Sequence, residues 1–162
     1  MRKSSWMVAG LICVLAAALT YAKMAGRPQP SEEEQIHALL ATGQSAIERK
    51  DLRDALSCVS REYSDSAGLT FETLRLQGAQ AFREQSKYDV VLNDTSIEIH
   101  GETAHVDTKA TVLLIFGRDV HQVFSGPLSI SLRKEKSKRW LVFPADAWKV
   151  IRMDGIPGEF RE

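Results

Sequence analysis

Residues 104–116 read Ala-His-Val-Asp-Thr-Lys-Ala-Thr-Val-Leu-Leu-Ile-Phe, and the alternation within this stretch decides the fold class. Its even-numbered positions are mostly apolar, whereas the odd-numbered positions begin with His105, Asp107 and Lys109. A period of two residues is typical of a β-strand with one buried face and one solvated face. We therefore predict a long strand here whose even-numbered face packs on a core.

The period of two also extends upstream of this strand. Tyr88 and Leu92 fall in one phase of the alternation, and Ile97 and Ile99 resume it in the opposite phase. Because a one-residue slip turns every later side chain to the other face, the change of phase predicts a bulge within residues 93–96.

Two further strands are predicted downstream. The first runs from about residue 120 to 133, and Pro127 within it predicts an edge position or a bulge. A basic turn, 134–138, then leads to a last strand that places Trp140 and Trp148 on one face. Together the strands form a meander of antiparallel neighbours.

Three amphipathic helices are predicted ahead of the strands. Ser31 and Glu34 form a capping box at the start of the first helix, Asp51 caps the second, and Thr70 opens the third. Gly78 within the third helix indicates a close packing contact. The three apolar stripes are Ile36, Leu40, Gly43 and Ile47; Leu52, Leu56, Val59 and Tyr63; and Phe71, Leu74, Gly78 and Phe82.

The N-terminal segment has the composition of a membrane leader. The residues between Lys3 and Lys23 are all uncharged, and a helix of that length spans about 28 Å, close to the hydrocarbon thickness of a bilayer. Residues 1–23 are therefore predicted to be a single-pass inner-membrane anchor that places the body in the periplasm or outside the cell. The alternative is a signal peptide cleaved near Ala22. A Gly- and Pro-containing linker follows at 24–30.

Composition limits the remaining possibilities. The 162 residues carry 21 basic and 21 acidic side chains, which gives no strongly basic face and no expectation of nucleic-acid binding. The two cysteines, Cys13 and Cys58, fall in the leader and the body, so no disulfide framework is expected. We predict one domain at 31–153 with a short tail at 154–162. No motif indicates a cofactor, and no His, Cys, Asp or Glu spacing indicates a metal site.

The order of elements resembles a known superfamily. A short second helix ending in Tyr63-Ser-Asp, a Gly68-Leu-Thr entry to the third helix, and strands that close on Arg139-Trp-Leu-Val resemble nuclear-transport-factor-2-like (NTF2-like) domains, among them SnoaL-like and ketosteroid-isomerase-like proteins. The resemblance implies an α+β, cystatin-like roll in which three helices pack on a curved antiparallel sheet. The superfamily includes isomerases, cyclases, dehydratases, transport adaptors and membrane-anchored assembly components, and the fold alone does not choose among them.

Catalytic members of that superfamily place an acid or base inside the cone, and three residues are candidates for such a role here. Asp65 follows the second helix but lies between two serines before a glycine, as turn residues do. Asp146 shares strand parity with Trp148, so it either points inward, where burial would suit it to proton transfer, or faces solvent. His105 and Asp107 lie two residues apart on one strand face, which is typical of the solvated face of a strand.

Two functions from different classes follow from these patterns. The first is a membrane-tethered, extracytoplasmic module that binds a small apolar ligand or assembles with another protein or a second copy of this chain. The second is a small isomerase or lyase with one buried acid or base. We prefer the first because no convergent acid–base pair is visible. The residues predicted to line the interior are Tyr63, Phe71, Phe82, Phe116, Phe124 and Trp140.

The basic run from Arg133 to Arg139 has two interpretations. It is either a solvated hairpin or, in a domain tethered close to a bilayer, a contact for anionic lipid head groups.

Overall fold

The computed structural model describes residues 30–84, 86–137 and 145–155. The helices are α1 (Glu32–Glu48), α2 (Leu52–Ser57) and α3 (Phe71–Ala81), and the strands are β1 (Lys87–His100), β2 (Thr103–Phe116), β3 (Asp119–Ser137) and β4 (Ala145–Asp154). The strands form one curved antiparallel sheet in the order β1-β2-β3-β4, which confirms the predicted α+β class and the meander.

The expected leader at 1–23 and Trp140 lie outside the described residues. Within the described ranges, the helices are all too short or too polar to cross a bilayer.

Side-chain caps begin the second and third helices, as the sequence predicts. Asp51 accepts a hydrogen bond from the backbone N–H of Asp54 at 3.0 Å, which satisfies one of the free donors at the start of α2. At the start of α3, Thr70 and Thr73 exchange side-chain-to-backbone bonds in a capping box.

The second helix ends earlier than its apolar stripe predicts. The stripe runs to Tyr63, but α2 ends at Ser57 because the chain then pairs with β4. Val150 donates its N–H to the carbonyl of Cys58 at 2.9 Å, and Ser60 donates to the carbonyl of Val150 at 2.9 Å. Tyr63 is nevertheless buried, because this pairing carries the segment after α2 onto the core.

Bulges set which side chains face the core. The predicted bulge in β1 is confirmed, since the register with β2 shifts between Asn93 and Ser96 and Asp94 has a φ of 51°. In β4 the register shifts so that Ser131 pairs with Arg152 and Leu132 with Val150. This extra residue in β4 lets both Val150 and Met153 reach the interior.

The third strand is longer than predicted. It continues through Ser137, so residues 134–137 of the expected basic turn are strand residues paired with β4. Pro127 lies where β3 pairs with β2, two residues before its ladder with β4 begins at Ser129. The ladder with β4 does not reach Pro127, which suits a residue without an N–H, and Gly155 at the end of β4 lies close to the Pro127 carbonyl.

The core lies between the helices and the inner face of the sheet. Trp148 is 3% exposed and packs in one cluster with Ile36 and Phe71. The even-numbered face of β2 is buried from Ala104 to Ala110. Phe116, the last residue of β2, is 43% exposed at the hairpin end of the same strand.

Candidate functional site

An apolar cavity of about 350 Å³ lies between the sheet and the first two helices. The helix side consists of residues from α1, α2 and the segment that follows them: Leu39, Leu40, Gly43, Gln44, Ile47, Ala55, Cys58 and Val59. The sheet side consists of inward-facing residues from all four strands: Tyr88, Val90, Leu92, Ala110, Val112, Phe124, Leu128, Ile130, Val150 and Met153. The volume lies within the range of small-molecule sites.

Two small residues on opposite walls leave this volume open. The nearest heavy atom to an ideal Cβ on Gly43 is the Sγ of Cys58 at 3.9 Å, so a side chain at this position would meet only ordinary contacts. Across the cavity, the small residue Ala110 occupies a buried, inward position on β2.

Polar groups on the cavity walls form their hydrogen bonds with other protein groups and not toward the cavity. Gln44 donates from Nε2 to the carbonyl of Val90 at 2.6 Å, and the Oη of Tyr88 donates to the carbonyl of Ala81 at 3.4 Å. Burial raises the pKa of the Cys58 thiol, so it stays protonated and acts as a small apolar group. The surface offered to a guest is therefore almost entirely hydrocarbon.

A second, more polar cleft of about 580 Å³ adjoins the cavity. It opens between α2 and α3, and it shares four wall residues with the apolar cavity: Ile47, Ala55, Val59 and Met153. Its outer rim carries Gln77, Gln80 and Glu84, which are all exposed. The two spaces therefore lie side by side, bordered by the same four apolar residues.

The predicted aromatic lining is divided among several locations. Phe124 lines the apolar cavity, and Phe82 lines the adjoining cleft with its ring centroid 6.1 Å from that of Tyr88. Tyr63 and Phe71 are buried in the core cluster but are not part of the cavity wall. Phe116 is exposed and Trp140 lies outside the described residues, so neither is placed on the cavity.

Asp65 acts as a turn cap. Its Oδ1 accepts hydrogen bonds from the N–H groups of Ala67 and Leu69, both at 2.9 Å, and its Oδ2 accepts from Tyr63 Oη at 3.2 Å. Burial, followed by the nearby Asp65 charge, raises the pKa of the Tyr63 phenol, which therefore remains a donor. The carboxylate holds the loop between α2 and α3 closed.

His105 lies on the outer face of the sheet. Its Nε2 lies 2.9 Å from Ser129 Oγ, which itself donates to Asp107 Oδ1 at 2.8 Å. In a serine hydrolase, the carboxylate bonds the imidazole nitrogen that does not face the serine. Here the serine hydroxyl donates to the carboxylate itself, so the imidazole is not oriented in that way. His105 and Ser129 are half-buried, Asp107 is exposed, and none of the three lines the cavity.

Asp146 keeps the predicted parity but not the inward position. It shares a strand face with Trp148, yet it lies opposite Lys136 near the end of the β3–β4 ladder and is exposed. The core does not extend that far, so parity alone does not bury the side chain.

The described bases of the run from Arg133 to Arg139 are largely paired with acids. Arg133 bonds Glu62 at 2.7 Å and Glu135 at 3.1 Å. Lys134 pairs with Glu32, and its Nζ lies 5.0 Å from the centroid of the Trp148 ring. These two bases are therefore engaged within the protein. Within the part of the chain that the structure describes, no cluster of His, Cys, Asp or Glu could hold a metal ion.

Gln44 is a cavity residue that sequence reasoning did not single out. It lies one residue from the predicted stripe position Gly43, and no periodicity marks it as a wall residue. The sequence feature that could have indicated the cavity is Gly43, because a glycine within an apolar helical stripe leaves space on the buried face.

Comparison with known proteins yields neither a matching family model nor a matching curated protein. Solved structures do match. An NTF2-like protein with a cystatin-like fold from Novosphingobium aromaticivorans is similar at a TM-score of 0.54 and 13% identity, over 86% of this chain and 84% of that one. The domain has an NTF2-like fold. This result confirms the predicted resemblance at the level of fold.

Two other solved structures are similar to this chain. A protein of unknown function from Mycobacterium tuberculosis matches with a TM-score of 0.60 and 17% identity, over 74% of this chain and 71% of that chain. The helical cell shape determining protein of Campylobacter jejuni matches with a TM-score of 0.59 and 16% identity, over 79% of this chain and 43% of that chain. At these identities the likeness concerns the fold alone.

Proposed function

We propose that this NTF2-like domain binds a small apolar ligand in the cavity between its sheet and helices, and that it does so without catalysis. The observation that carries the proposal is a cavity of about 350 Å³ whose wall groups Gln44, Tyr88 and Cys58 direct their hydrogen bonds into the protein. Transfer of apolar surface from water into such a site is favourable by about 25 cal/mol per Å².

The positions of the candidate acids and bases support binding over proton transfer. Asp65 accepts three hydrogen bonds within its own loop, His105 is half-buried on the outer face of the sheet, and Asp146 is exposed. A general acid or base must come within hydrogen-bond reach of the reacting atom. None of these three groups is a wall residue of the cavity.

A methyl-labelled methionine provides the test. Met153 lines the cavity, whereas the other three methionines lie within residues 1–24, so its ε-methyl resonance is assignable by substitution. In the full chain held in lipid nanodiscs, we expect naphthalene to shift the Met153 resonance saturably. Gly43→Leu should fill the cavity and abolish the shift, whereas Ala41→Leu, an exposed position on the same helix, should leave it unchanged. A shift that is absent from the wild-type chain, or that survives Gly43→Leu, would overturn the proposal.

We further propose that the domain is tethered to a membrane on the extracytoplasmic side by residues 1–23. The support is the uncharged stretch between Lys3 and Lys23, preceded by basic residues. Intact-mass measurement of the protein purified from membranes tests this tether. Retention of the full chain supports an anchor, whereas loss of residues up to about Ala22 shows a secreted form.

A further inference from the structure

We propose that the ligand is an uncharged amphiphile, with its hydrocarbon part in the apolar cavity and a neutral hydrogen-bonding head in the cleft between α2 and α3. This inference rests on the proposed function and specifies its ligand class. The geometry behind it is that Ile47, Ala55, Val59 and Met153 line both the cavity and the cleft, so the two spaces lie side by side and within reach of one molecule.

The two spaces differ in the chemistry they offer. The cavity has room for about ten groups the size of a water molecule or a methylene, and its surface is hydrocarbon. The adjoining cleft has Leu52 and Leu74 on its floor and amides and a carboxylate at its rim. A molecule that occupies both must therefore be apolar at one end and polar at the other.

The polar side chains at the rim of the cleft determine which head group it accepts. Gln77 and Gln80 lie on the exposed side of α3, and within the described residues neither side-chain amide forms a hydrogen bond with another residue. Each amide offers both donors and an acceptor, which suits hydroxyl or amide groups.

Charge at the rim disfavours an anionic head. Glu84 is the charged residue among those that line the cleft, and its negative charge would repel a carboxylate or a phosphate. Lys50 is not among the residues that line the cleft; its ammonium donates to the carbonyl of Glu84 and lies 5.7 Å from the centroid of the Tyr88 ring.

The test compares decanol with decanoate, which share a ten-carbon chain and differ in the head group. Binding is followed by the Met153 methyl resonance of the full chain in nanodiscs. We expect the Gln77→Leu/Gln80→Leu variant to weaken decanol binding about tenfold, because two neutral hydrogen bonds are lost. Gln122→Leu, an exposed position on β3 outside the cleft, should have no effect. Glu84→Gln should strengthen decanoate binding several-fold and leave decanol binding unchanged.

The outcomes separate this inference from the proposed function. If Gly43→Leu abolishes binding of naphthalene and decanol but the rim variants change neither decanol nor decanoate binding, the amphiphile assignment is wrong and the apolar site stands. Decanoate binding more tightly than decanol to the wild-type chain, after correction for partition into empty nanodiscs, would also overturn the assignment. If Gly43→Leu affects none of these ligands, the proposed function itself fails.

Discussion

An ideal Cβ atom on Gly78 of α3 would lie 2.9 Å from the Cδ1 atom of Leu52 in α2, so the missing side chain is what allows these helices to approach so closely. Gly43 of α1 differs, because the nearest heavy atom to its ideal Cβ is the Sγ of Cys58 at 3.9 Å. Both glycines lie within helices, where each costs about 1 kcal/mol relative to alanine. Gly78 is therefore required by helix packing, whereas Gly43 borders the empty volume of the cavity.

This contrast predicts different responses to the same substitution. Gly43→Ala should raise the free energy of unfolding by up to about 1 kcal/mol, since it gains helix propensity without a clash. Gly78→Ala should gain less or lose stability, because the Leu52 side chain must shift to make room. Urea unfolding followed by circular dichroism measures both variants. Equal gains would show that the contact between α2 and α3 does not constrain position 78.

The buried indole of Trp148 is expected to contribute strongly to stability. Trp148→Ala should lower the free energy of unfolding by about 3 to 5 kcal/mol, the usual cost of removing a large core aromatic. Trp148→Phe should cost much less, because within the described residues Nε1 has no hydrogen-bond partner to lose. Leu76→Ala, at a side chain that is 59% exposed, is the control and should change stability by less than about 0.5 kcal/mol. A loss below about 1 kcal/mol for Trp148→Ala would contradict the assigned core.

The loop between α2 and α3 should depend on the Asp65 carboxylate. Asp65→Ala should cost about 1 to 3 kcal/mol, because it leaves the N–H groups of Ala67 and Leu69 without their acceptor. Tyr63→Phe removes one bond to the same carboxylate, so its effect should be smaller and should largely vanish in the Asp65→Ala background. Thermal unfolding of the single and double variants measures this coupling. Full additivity would show that the two side chains do not share a bond.

The carboxylate of Asp154 should stay ionised well into acid. Hydrogen bonds from Arg152 Nε at 2.5 Å and Ser66 Oγ at 2.6 Å lower its pKa from 3.8 to about 2. Since the pKa is lower in the folded state than in the unfolded state, the stabilisation is fully present above about pH 4 and is lost as the pH falls through about 2.

Carboxyl-resolved NMR titration tests this assignment. Arg152→Gln should raise the pKa of Asp154 most, because Arg152 is the largest cause of the shift, and Ser66→Ala should raise it less. Arg49→Gln, at an exposed ion pair with Asp54, should not change it. An Asp154 midpoint near 4 in the wild-type chain would contradict the bonded geometry.

Several elements were predictable because local chemistry alone specifies them. Asp51 and Thr70 cap their helices in the expected way, and the change of phase around residues 93–96 marks the β1 bulge. These features depend on side chains and backbone groups within a few residues of each other. Tertiary packing does not need to be known to predict them.

Other features depended on partners distant in sequence. The end of α2 at Ser57 is set by pairing of Cys58 and Ser60 with Val150, and the length of β3 by its ladder with β4. Apolar periodicity gave no sign of either contact, because it reports which face is buried and not what covers it.

The sequence by itself determined the α+β class, the strand alternation and the apolar character of the interior, because burial patterns and caps are local properties of the chain. Only the tertiary structure decided which inward residues border open space. Tyr63 and Phe71 carry the same pattern as Phe124, yet they are fully packed while Phe124 faces the cavity. The difference arises because an empty volume depends on the summed sizes of residues that meet from separate elements, here Gly43 of α1 and Ala110 of β2, and no single stretch of sequence contains that sum.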